Sequence, residues 1–154
     1  MALSVIFVLY GGIGFLAAVG SVFISQKLFE AKGQQIFFGL FLIWIAGVYL
    51  AFTAYFGMES AWRFETGGVI VFAVLGLVGV RVPVVLIVGY ALHGFWDVLH
   101  EIHGHGGGGL FGAQQVTEIP LAYGAFCLAF DWCVAAYFYT RRGQWRAAWA
   151  ARAR

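Results

Sequence analysis

From Leu3 to Ile24 the chain runs without one charged side chain. Coiled as a helix, at about 1.5 Å per residue, that run is long enough to cross a hydrocarbon core of about 30 Å. In lipid every backbone N–H and C=O has to be satisfied by the protein itself, and a helix does so within one segment. The run lacks a positive leading region and a small-residue cleavage site, so it reads as a retained helix rather than a signal peptide. Further apolar stretches follow at residues 36–56, 64–80, 82–100 and 119–140. The third is the shortest and reaches full width only by borrowing from Ala61 onward. The expected fold is all-α: one integral membrane domain spanning 1–154, built as a bundle of five transmembrane helices. Residues 141–154 form a basic tail carrying Trp145 and Trp149, expected on the membrane surface.

Composition excludes the soluble alternative. The chain is 62% hydrophobic and 10% charged, where soluble domains run near 25% charged. Gly14 with Ala18, and Gly47 with Ala51, offer small-residue faces for close helix packing. Cys127 and Cys133, six apart in the last apolar run, fall on different helix faces, which predicts reduced thiols and no disulfide framework. Of the nine Lys and Arg residues, five spans put all but Arg63 on one side. The bias of basic residues toward the cytoplasm then sets the N-terminus outside and the C-terminus inside. Only Glu30 among the acids falls on the inner side, leaving an outer mouth that attracts cations.

All four histidines lie in one stretch, His93-Gly-Phe-Trp-Asp97-Val-Leu-His100-Glu101-Ile-His103-Gly-His105. On a helix His93, Asp97, His100 and Glu101 project from one stripe, at i, i+4, i+7 and i+8. Ionisable groups inside a membrane segment are costly and usually serve a purpose. Asp131, well inside the last apolar run, needs a proton or a partner, and His93 is the natural one. Cys127 shares its face. The tract Gly106 to Gly109 predicts a loop that acts as a spacer, since it has neither the preceding strand nor the following Lys-Ser/Thr of a phosphate cradle.

Imidazole and carboxylate donors together suit a divalent transition metal: Zn, Fe, Mn or Cu. The candidate ligands are His93, Asp97, His100 and Asp131. Glu101 and Asp97 are the candidate catalytic groups, with Glu101 as general base on a bound water. Each also has a structural reading. His93 with Asp97 can be a polar pair joining helices, His100 and Glu101 plain interfacial residues, and Asp131 a hydrogen-bond acceptor. His103 and His105 read as solvated, Trp96 and Trp132 as packing anchors, and Glu59 and Glu65 as loop carboxylates able to roof the site.

The run His93-x3-Asp97-x2-His100-Glu101, followed by Pro120, Cys127 and Asp131, resembles an uncharacterised family of small bacterial multispanning membrane proteins, domain of unknown function 6010. The resemblance covers mainly Arg81 to Tyr139. Glu101 stands where that family carries a second histidine, and apolar residues replace a serine pair between Pro120 and Cys127. The resemblance implies the fold and the site but names no reaction.

Three functions fit these residues. The first is a membrane-embedded, metal-dependent enzyme (a hydrolase, oxidoreductase or isomerase) acting on a lipid-like or isoprenoid small molecule near the outer leaflet. The second is a metal-free proton-relay isomerase or an ion or proton carrier. The third is a metal-delivery or accessory subunit working through the His103–His105 loop. The expected setting is the bacterial inner membrane, with that loop toward the periplasm or exterior. Lipid is the expected partner, nucleic acid is not, and a homo-oligomer is compatible with the sequence.

Overall fold

The computed structural model describes residues 2–105 and 116–151, and among these it is helical, with no strand. Five helices follow in order: α1 (Ala2–Leu28), α2 (Ala31–Tyr55), α3 (Trp62–Gly79), α4 (Pro83–His105) and α5 (Tyr123–Ala150). A single 3-10 turn, Glu59–Ala61, precedes α3. Of these, α1 to α4 are long and apolar enough to cross a membrane. The fifth, α5, is the longest at 28 residues. It is also less apolar, because it carries Asp131 and, further on, Arg141, Arg142 and Arg146.

The helix ends differ from the expected ones where polar residues are good helix formers. The Gln-Lys-Leu segment after Ser25 and the Ala-Lys-Gly-Gln-Gln segment before Ile36 both coil, so only Phe29 and Glu30 separate α1 from α2. Ala, Lys and Gln have high helix propensity, and polarity alone does not end a helix. For the same reason α5 continues through Arg141 to Ala150, making those residues an extension of the fifth helix. Pro83 opens α4, where its missing N–H has no intrahelical partner to lose. His103 belongs to the last turns of α4, while the Gly106–Gly109 tract and the side chain of His105 lie outside the described residues.

The helices run alternately up and down, with α5 packed on α1 and α4, and α3 packed on α2 and α4. Phe38, Leu42, Leu86, Tyr90, Phe130, Val134 and Phe138 form the core. The outside is as apolar as the inside: Trp44 is 73% and Val8 76% exposed. Such a surface suits lipid and not water.

Close packing uses glycine, though not always the glycines the sequence singled out. Gly14 on α1 lies against the backbone of Phe126, and Ala18 is fully buried. On α2 the contact residue is Gly39, where an added Cβ would meet the carbonyl of Gly76 on α3 at 2.8 Å. Gly47 has nothing near it and, with Ala51, lines an open face of α2.

One end of the bundle is tied together by polar contacts. Gln35 donates to the Gly79 carbonyl at 2.7 Å and accepts from Trp149 Nε1 at 3.0 Å. The Trp149 ring lies under Lys32 at 5.3 Å and Arg81 at 5.6 Å. Tyr137 donates to Gln34 at 2.5 Å and accepts from Gln26 at 3.2 Å. The acid–histidine groups occupy the other half.

Candidate functional site

The α4 stripe faces inward as its spacing requires: His93, Asp97 and His100 are at most 1% exposed, and Glu101 is 7% exposed. Its members have different partners, because a helix face about 12 Å long meets several neighbours in turn.

His93 Nδ1 lies 2.8 Å from Asp131 Oδ2 on α5 and 3.0 Å from Asp97 Oδ2 on its own helix. A single N–H can serve only one of these, and it is directed at Asp131. His93 Nε2, Asp97 Oδ2 and Asp131 Oδ1 are buried with no hydrogen-bond partner. The Tyr49 hydroxyl of α2 donates to Asp97 Oδ1. Phe72 of α3 closes the group with its ring centroid 4.8 Å from that of His93. Two helices, α4 and α5, thus place one imidazole and two carboxylates together, and α2 and α3 close them off from solvent.

Two carboxylates facing one imidazole leave a deficit of positive charge, and charge of one sign is expensive in an apolar interior. An extra proton or a metal cation would remove the deficit. Among the described residues, the group able to hold an ion is His93, Asp97 and Asp131, with ligand atoms all within 4.8 Å of one another. The separations of 2.8 and 3.0 Å from the imidazole nitrogen are shorter than the roughly 3.3–3.6 Å between neighbouring ligands of a tetrahedral ion bound at about 2.0–2.2 Å, so the side chains would part slightly to admit one. Cys127, a buried free thiol one turn before Asp131, stays outside this group.

His100 is not brought to the cluster. Its Nε2 lies 3.0 Å from Glu65 Oε1 of α3, and its Nδ1 donates to the Trp96 carbonyl at 2.9 Å. Glu65 Oε1 also accepts from the Thr117 N–H at 2.8 Å, anchoring the segment that leads into α5. The Tyr49 ring, 4.4 Å from the His100 ring, connects this dyad to the His93 group.

Glu101 faces the start of α5. Its Oε1 accepts from Ala122 N–H and its Oε2 from Gly124 N–H, both at 2.8 Å. These are unsatisfied donors of a helix N-terminus, and a carboxylate there is also favoured by the helix dipole. Ala122, at φ 62°, takes the left-handed conformation that turns the chain into α5. Gly124 permits the approach, since an added Cβ would meet the Asp97 carbonyl at 2.6 Å.

Of the remaining residues, Trp96 stacks on Phe64 at 5.0 Å, and Trp132 is 47% exposed. Both fit the anchor reading. Glu65, read as a loop carboxylate, is fully buried, while Glu59 is exposed. Tyr49 was not singled out by the sequence at all. The signal available for it was its place in the row Phe38, Leu42, Ala46, Tyr49 and Thr53, the buried face of α2.

A bundle of membrane-type helices around a buried acid–histidine group defines the class of protein. The chain belongs to a family of unknown function (DUF6010), whose model matches residues 12–144. No curated protein and no solved structure matches it.

Proposed function

We propose that the protein is an integral membrane enzyme of the bacterial inner membrane. It binds one divalent transition metal through His93, Asp97 and Asp131 and acts on a lipid-like molecule near the outer leaflet. The observation that carries this reading is the convergence of three buried ionisable side chains whose ligand atoms include three without partners. Nitrogen and oxygen donors favour Zn, Fe, Mn or Cu(II) over Cu(I), since the soft thiolate of Cys127 lies outside the set. A metal held there supplies Lewis acidity toward a carbonyl or phosphoryl oxygen. Tyr49 orients Asp97, the usual part of a residue that hydrogen-bonds a ligand. Asp97 serves as ligand in this reading, His100 with Glu65 as the proton-holding pair beside it, and Glu101 as the group that sets α5 and hence Asp131.

Elemental analysis of gently purified protein is the test. About one equivalent of Zn, Fe, Mn or Cu is expected in the wild type, and a large loss in His93→Ala and Asp131→Asn. Wild-type protein without a transition metal would remove the metal from the proposal.

A second reading has its own support: Asp131, His93, Asp97 and Tyr49 lie in a row across three helices, joined by the His93–Asp131 and Tyr49–Asp97 hydrogen bonds and by a His93–Asp97 contact of 3.0 Å. Such a row can pass a proton without a metal. Proton flux in proteoliposomes that is lost in Asp97→Asn, from protein free of metal, would favour it.

A further inference from the structure

An elongated groove of about 590 Å³ runs between α3 and α4 on the apolar outside of the bundle. Its walls include Val71, Leu92, Phe95 and Leu99, with Phe72 and Trp96 at its floor and Arg63 at one end. Two glycines keep it open. Gly67 has nothing within 4 Å, and an added Cβ at Gly68 would meet the Trp96 ring at 2.8 Å. From Arg63 to Phe72 the groove follows α3 for about 14 Å, the shape of a chain rather than of a compact headgroup.

Charge distinguishes this groove from the rest of the lipid-facing surface. Lys27, Lys32, Arg81, Arg141, Arg142 and Arg146 gather at the opposite end of the bundle, leaving Arg63 the basic residue of this end among the described residues. Arg63 is exposed and has no acidic partner among them, although Glu65 is two residues away. Glu65 points inward to His100 instead. A guanidinium with its five N–H groups free is suited to a phosphate. The floor of the groove is also the wall of the buried group: Phe72 lies against His93 at 4.8 Å and Trp96 against His100 at 5.0 Å.

We propose that the α3/α4 groove binds one phosphate-bearing lipid, its phosphate on Arg63 and its hydrocarbon chain along Gly67, Gly68 and Trp96. This deepens the lipid-substrate reading above and rests on it for its role. The site would present the lipid to the acid–histidine group through the Phe72–Trp96 wall.

The test uses full-length protein in phosphatidylcholine nanodiscs carrying a trace of phosphatidic acid with a diazirine in its acyl chain. Diacylglycerol with the same labelled chain is the control. Photolabel mapped by mass spectrometry is expected on α3 and α4, with the phosphate probe preferred about tenfold, as a charge-assisted contact implies. Arg63→Gln should abolish that preference. Gly67→Leu, which adds a side chain into open space and so keeps the fold, should lower α3/α4 labelling by both probes. Equal labelling by the two probes, a preference that survives Arg63→Gln, or label spread evenly over all helices would overturn the proposal. Metal content of the same samples separates the two readings. Both variants should hold wild-type metal, and metal-free wild type that still shows the preference would sink the metal reading alone.

Discussion

Removing the Tyr49 hydroxyl strips the buried Asp97 Oδ1 of its donor. Tyr49→Phe is therefore expected to lower stability by about 1–3 kcal/mol, read as a fall in the unfolding temperature in detergent. It should also weaken metal retention about 10–100-fold, read by titration with a chelator. Glu101→Gln separates two roles for that residue. An amide offers one acceptor where the carboxylate offers two, and its NH2 would face a backbone N–H. A loss of about 1–3 kcal/mol with metal content unchanged is the expected result. Undiminished stability would return Glu101 to the general-base role that its sequence position invites. The stripe itself was legible in the sequence, because side-chain direction on a helix follows from spacing alone. The partners were not, because spacing does not say which neighbouring helix each member meets. So His100 could not be told from His93, although it faces Glu65 and not Asp131. Tyr49 was invisible for a different reason: a tyrosine in an apolar helix is ordinary packing until its hydroxyl meets a carboxylate.

Glycines that look alike in the sequence should respond very differently to substitution. Gly39→Leu pushes a side chain into the α3 backbone at Gly76 and is expected to cost at least about 1–3 kcal/mol. Gly47→Leu adds its side chain to an open face and should stay within about 0.5 kcal/mol of wild type. Comparable destabilisation by the two changes would contradict the α2–α3 packing. The existence of the helices was readable from the apolar runs, while their ends were not. Polar residues at the α1–α2 junction and after Thr140 are also good helix formers, so charge marked a boundary that the backbone ignores. Trp145 shows what the extension does, since it is 1% exposed and packs its ring 3.6 Å from that of Phe138. Trp145→Ala should cost about 3–5 kcal/mol in thermal unfolding, far more than an interfacial anchor would.

Across the whole molecule, the alternating helices gather the basic residues at one end and leave Arg63 at the other, among the described residues. In the proposed topology a fluorescent protein fused after residue 154 matures in the cytoplasm and glows. Alkaline phosphatase fused after Gly57 is active outside. The reverse pattern would invert the membrane orientation and turn the groove toward the inner leaflet. Trp149, held by Gln35 between Lys32 and Arg81, fastens the α1–α2 and α3–α4 junctions to the last helix at the basic end. At the other end Glu101 and Glu65 tie the start of α5 to α4 and α3. Amide exchange should then be slow beside Gln35 and Gly79 and also at Ala122 and Gly124. With both ends tied, the Phe72 and Trp96 rings are what separates His93 from the groove between α3 and α4.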